Sequence, residues 1–116
     1  MVKNDGSLTI VEVFPGACGF VTLVKARKIA SGKVVIELES QCESVAALDT
    51  EATGPFTLRD LLQTDRSRNR ILVEVTKAVQ HASCPVPIAM IKAGEVALGL
   101  NVPASVRIEF KNDDGE

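Results

Sequence analysis

Three β-forming runs separated by very short breaks fill the first forty residues, and they limit the fold more than any other feature of the chain. Leu8 to Phe14 (LTIVEVF), Phe20 to Lys28 (FVTLVKARK) and Val34 to Glu39 (VVIELE) are rich in β-branched residues. In the third run Val34, Ile36 and Leu38 fall on one face and Glu37 and Glu39 on the other, the period of a half-buried strand. The breaks, Pro15-Gly16-Ala17-Cys18-Gly19 and Ala30-Ser31-Gly32, are turn sequences. A parallel pairing would need a crossover of a dozen or more residues, so connections this short imply an antiparallel meander.

Helical signals follow. Ser40-Gln41-Cys42-Glu43 has the spacing of a capping box, with Ser40 as N-cap and Glu43 at the third helical position, and opens an Ala-rich helix that ends before Thr53-Gly54-Pro55. Thr57 to Leu62 reads as a short helix capped by Thr57, and Thr64 to Asn69 as a polar loop. From Asn69 to Gln80 the apolar residues Ile71, Leu72, Val75, Ala78 and Val79 recur at helical spacing. Pro85 ends any continuation, and Pro87 suits the first turn of a last helix that stops at Gly99. Ser105 to Phe110 (SVRIEF) alternates again, with Val106, Ile108 and Phe110 on one face, and is expected to close the sheet as a final strand. The expected class is α+β, in the order β-β-β-α-α-α-α-β. All 116 residues are expected to form one domain, with 1–6 and 112–116 frayed.

Composition narrows the function. Hydrophobic residues make up 46% of the chain, yet its only aromatic residues are four phenylalanines, so Val, Ile, Leu and Ala must build the core. So apolar a small chain is expected to bury further surface in a homo-oligomer. The net charge of −2 and a pI near 5.4 argue against a nucleic-acid partner, and the one dense basic cluster, Arg66, Arg68 and Arg70, reads as a solvated loop and helix start. No run of about 18 apolar residues spans a membrane, and Met1 to Gly6 lacks the apolar segment of a signal peptide. A cytoplasmic location is expected, where thiols stay reduced; three cysteines also cannot form a complete set of intrachain disulfides.

Chemistry then concentrates on Cys18, Cys42, His81 and Cys84. In a meander the turn holding Cys18 and the residue after the third strand, Cys42, lie at the same end of the sheet. His81-Ala82-Ser83-Cys84 offers a histidine and a cysteine from one turn between helices, and Cys₃His is an established tetrahedral set for zinc. The predicted site is a metal centre of these four residues, zinc first and an iron–sulfur cluster second. Helix N-termini at Cys42 and Cys84 would favour thiolate, with Val86 or a later residue supplying the amide donor because Pro85 has none. The leading enzymatic alternative is a redox or nucleophilic thiol, Cys84 or Cys18 paired with His81. A third reading is an oligomeric interaction module whose cysteines only fill space. Asp60 and Glu74 read as surface charges, and Lys92 and Glu95 as solvated or subunit-contact neighbours. No dinucleotide, phosphate-loop or H-E-x-x-H motif occurs.

The segments Pro15-Gly16-Ala17-Cys18-Gly19-Phe20, Ser40-Gln41-Cys42-Glu43 and Cys84-Pro85-Val86-Pro87, with Ile91-Lys92-Ala93 and Gly99-Leu100, resemble a group of small uncharacterised archaeal and bacterial proteins. The resemblance extends over nearly the whole chain. It implies that these segments belong together, and it carries over no catalytic residue.

Overall fold

The computed structural model describes residues 8–48 and 53–112. Strands β1 (Leu8–Val13), β2 (Thr22–Ala30) and β3 (Lys33–Ser40) form the expected antiparallel meander. Val13 pairs with Thr22, which pairs with Ser40, so the β1–β2 turn and the end of β3 share one end of the sheet. Helix α1 (Glu43–Ala46) follows, then a two-residue strand β4 (Phe56–Thr57) on the outer edge of β3, then α2 (Leu58–Leu62), α3 (Arg70–Thr76) and α4 (Val86–Ala97). The sheet order is β1-β2-β3-β4.

One face of the meander is covered by helices. Val24, Ala26, Val34 and Ile36 on that face are fully or almost fully buried and join Met90, Ala93 and Ala97 of α4 and Ile71 and Val75 of α3 in a single core. Aliphatic residues carry that core, as the composition requires; Phe56 is its one aromatic member. The guanidinium of Arg70 lies 4.9 Å from the centre of the Phe56 ring and pairs with Asp60 at 3.1 Å. Arg70 therefore leaves the solvated basic cluster expected for it, whereas Arg66 and Arg68 are exposed.

Asp60, read as a surface charge, has a local structural role. Its carboxylate accepts from the Thr57 N–H at 2.8 Å while the Thr57 hydroxyl accepts from the Asp60 N–H, a complete capping box at α2. Asn69 does more. It is buried, its Oδ1 accepts from the N–H groups of Ile71 and Leu72, and its Nδ2 donates to the carbonyls of Asp60 and Gln63. One side chain thus caps α3 and ties it to the end of α2. Helix α4 ends as its glycine predicts: Gly99 takes φ +77, its N–H donates to Val96 O, and Leu100 N–H donates to Glu95 O.

Three expectations are corrected. The capping box at Ser40 does not form. Ser40 is still in β3, the N-cap of α1 is Cys42 without a side-chain cap, and the Ser40 hydroxyl instead accepts from the Cys42 N–H at 3.0 Å. Helix α1 has four residues up to Ala46; the remainder of the expected Ala-rich helix at 49–52 lies outside the described residues, as do the expected frayed ends except Asn112. The final strand is absent. Residues 101–112 form an exposed arm without regular structure, and Ile108 and Phe110 are 89% and 101% exposed. Alternation identified a chain segment suited to pairing, but a strand exists only against another backbone, and no other described segment lies beside it.

The cap geometry yields a stability test. Asn69→Ala leaves two amides and two carbonyls without their partner and is expected to cost about 2–3 kcal/mol. Gly99→Ala, where an added Cβ meets no atom within 4 Å but φ is positive, is expected to cost only about 1 kcal/mol. Urea denaturation of both variants checks the order; equal losses would show that Asn69 acts only as a cap.

Candidate functional site

The β1–β2 turn is a reversal over Gly16–Gly19, closed by a 3.0 Å hydrogen bond from Gly19 N–H to Gly16 O. Both glycines have positive φ, +93 and +75, which an L side chain resists, so they allow Cys18 to sit at the exposed crest. Phe14 and Phe20 bracket the turn and are also exposed. Gln41, just beyond β3, fastens the base of this turn. Its side-chain oxygen accepts from Val21 N–H at 3.0 Å, and its own N–H donates to Val21 O at 3.3 Å. Cys42 is the next residue, partly buried against the core.

The third segment arrives from the helices. Gln80 Nε2 donates to Ser44 Oγ at 3.4 Å, which holds the loop after α3 beside the start of α1. Within that loop Cys84 N–H donates to His81 O at 3.1 Å, so His81-Ala82-Ser83-Cys84 is a closed turn with the histidine and the cysteine at its two ends. His81 is exposed, and its ring makes no hydrogen bond among the described residues. Cys84 is partly buried against the core at the entry to α4.

The electrostatics of Cys84 record the convergence of the three thiols. Burial pushes its pKa above the ordinary 9.0, a hydrogen bond from the Val86 N–H pulls it down, and the thiolates of Cys42 and Cys18 each push it up again. Three cysteines separated by up to 66 positions in sequence thus lie within electrostatic reach of one another. The Val86 donor is the one the sequence pointed to. The net direction is the reverse of the expected activation, because desolvation outweighs the helix N-terminus. All three are free thiols. Among the described residues, no three or more His, Cys, Asp or Glu side chains are grouped so as to hold a metal ion.

Elsewhere, a groove of about 400 Å3 lies among α2, the loop after it, α3 and α4, with Leu62, Leu72 and Ile91 beside Arg66, Lys92 and Glu95. No cysteine or histidine lines it. It gives Lys92 and Glu95 a common surface, although no ion pair joins them. The Gln80–Ser44 and Gln41–Val21 fastenings, which bring the thiol segments together, left no signal in the sequence, since solvent-exposed glutamines carry no pattern.

A raised Cys84 pKa sets the sign of a pH effect. The folded chain holds this proton more tightly than the unfolded chain. Its contribution to stability is full below the unfolded thiol value and is lost as pH rises past 9.0 toward the folded value. Stability measured by urea at pH 8 and pH 10 is expected to fall more in the native chain than in Cys84→Ala. Iodoacetamide mapping across the same range is expected to label Cys18 first and Cys84 last.

No helix among the described residues is long and apolar enough to cross a membrane. A family model, Family of unknown function (DUF6951), matches residues 9–110. No curated protein and no solved structure matches the chain.

Proposed function

From a chain that belongs to DUF6951, a family of unknown function, activity has to be read from the site itself, and we propose that Cys18, Cys42 and Cys84, with His81, bind one thiophilic metal ion. What supports the reading is that the Cys18 turn and Cys42 share one end of the meander, and that both cysteines bear on the electrostatics of Cys84. A bound divalent cation takes thiolates as ligands and displaces their protons, so a raised Cys84 pKa does not bar binding. Zinc is the preferred ion, because three thiolates and one imidazole are an established zinc set, and the closed His81–Cys84 turn offers its two donors from neighbouring positions. An iron–sulfur cluster is the second choice. Rotation of the exposed Cys18 and His81 side chains toward Cys42 and Cys84 would complete the set. The reading places the protein in the cytoplasm, where thiols remain available to metal.

A nucleophilic role for Cys84 is less well supported. Its raised pKa reduces the thiolate fraction at neutral pH, which is the opposite of what a reactive cysteine needs.

Protein purified without chelator is expected to contain about one zinc per chain by elemental analysis, and zinc added to the apoprotein at pH 7 should release roughly three protons, one from each thiol. Cys42→Ser and Cys84→Ser should each reduce metal content several-fold, and His81→Ala should weaken binding to a smaller degree. Native protein with no metal, whose apo form neither takes up zinc nor releases protons in titration, would sink the reading.

A further inference from the structure

The arm at 101–112 and the free edge of β1 are complementary halves of one interaction. Val106, Ile108 and Phe110 alternate along the arm with Arg107, Glu109 and Lys111, giving it one apolar and one charged face. All six are exposed; Arg107 and Glu109 pair with each other at 3.4 Å across the charged face. The family model runs through Phe110, so the arm belongs to what the family shares.

At the other end of the sheet order, β1 hydrogen-bonds to β2 on one side only, and no described strand pairs with its outer edge. Its six residues equal the length of the alternating segment Ser105 to Phe110. Thr9, Val11 and Val13 face the helix-covered side, with Val11 only partly buried although it packs against the core. Thr9 is 5% exposed, and its buried Oγ1 has no hydrogen-bond partner. On the opposite side of β1, Glu12 is exposed.

We propose that the C-terminal arm of one copy adds as a strand to the outer edge of β1 in a second copy, and that the exchange is reciprocal. Val106, Ile108 and Phe110 then extend the helix-covered face beyond Val11 and Val13, while Arg107, Glu109 and Lys111 come to the side that carries Glu12. Backbone bonding along the edge supplies affinity, and the alternating apolar pockets supply register. A second copy is the partner because each chain carries both the donor and the acceptor. Two copies related by a twofold axis satisfy both arms and both edges and leave none over.

Light scattering on the full chain is expected to give twice the 12.4 kDa chain mass. Hydrogen exchange should show the outward β1 amides protected about tenfold or more relative to an Ile108→Asp, Phe110→Asp double variant, which should be monomeric. Because those residues are almost fully exposed in the folded chain, the variant should still unfold in one cooperative transition, at a lower temperature than the dimer, and exchange measured on the unmodified chain does not depend on it. A monomer with a freely exchanging arm, a monomer with a protected arm folded onto its own sheet, or a dimer whose arms are protected while β1 exchanges freely would each overturn the proposal.

Discussion

Val24, Ala26, Val34 and Ile36 see essentially no solvent because α4 lies across the meander that presents them, with Ile71 and Val75 of α3 in the same core. Burying one aliphatic side chain of this size contributes about 1.5–3 kcal/mol, so this layer of contacts dominates the stability of a chain with a single buried aromatic residue. It also determines everything placed at the edges. With α4 running over the sheet, Cys84 stands two residues before its start, within electrostatic reach of Cys42 and Cys18. The last residues of α4 release the arm into solvent.

The site and the arm are therefore two consequences of the same packing. At the cysteine end, side-chain amides do the fastening. Gln41 holds the Cys18 turn to the end of β3, and Gln80 holds the Cys84 loop to α1. At the other extremity of α4 the helix is stopped by the Gly99 cap, and the chain leaves with its apolar alternation unspent. Among the described residues no helix covers the opposite face of the sheet, and Ile10 remains exposed there beside Lys25, Glu37 and Glu39.

Two opposed effects meet at Cys84. A helix N-terminus with a free amide at Val86 favours the thiolate, and desolvation with two neighbouring thiols disfavours it; the second group prevails. On the proposed reading, that balance suits a metal ligand better than a nucleophile. A nucleophile must be ionised before its substrate arrives, whereas a ligand can surrender its proton to the incoming cation.

The meander, its turns, the Thr57 and Gly99 caps and the common end of Cys18 and Cys42 were legible in the sequence, because each rests on local chemistry: period-two alternation, glycine at positive φ, a hydroxyl residue at a helix start, and connections too short for any other pairing. The capping box at Ser40 was misread because the β3 ladder claimed that residue first, and a local motif yields to a sheet that pairs over eight residues. What only the tertiary structure decided was long-range. Asn69 became a buried junction because its four partners come from both sides of a loop. Cys84 reached the other cysteines because of how α4 lies on the sheet, which no spacing encodes. Ser105 to Phe110 carried the right pattern for a strand but not its partner, since alternation specifies which face seeks burial and says nothing about whose backbone will meet it.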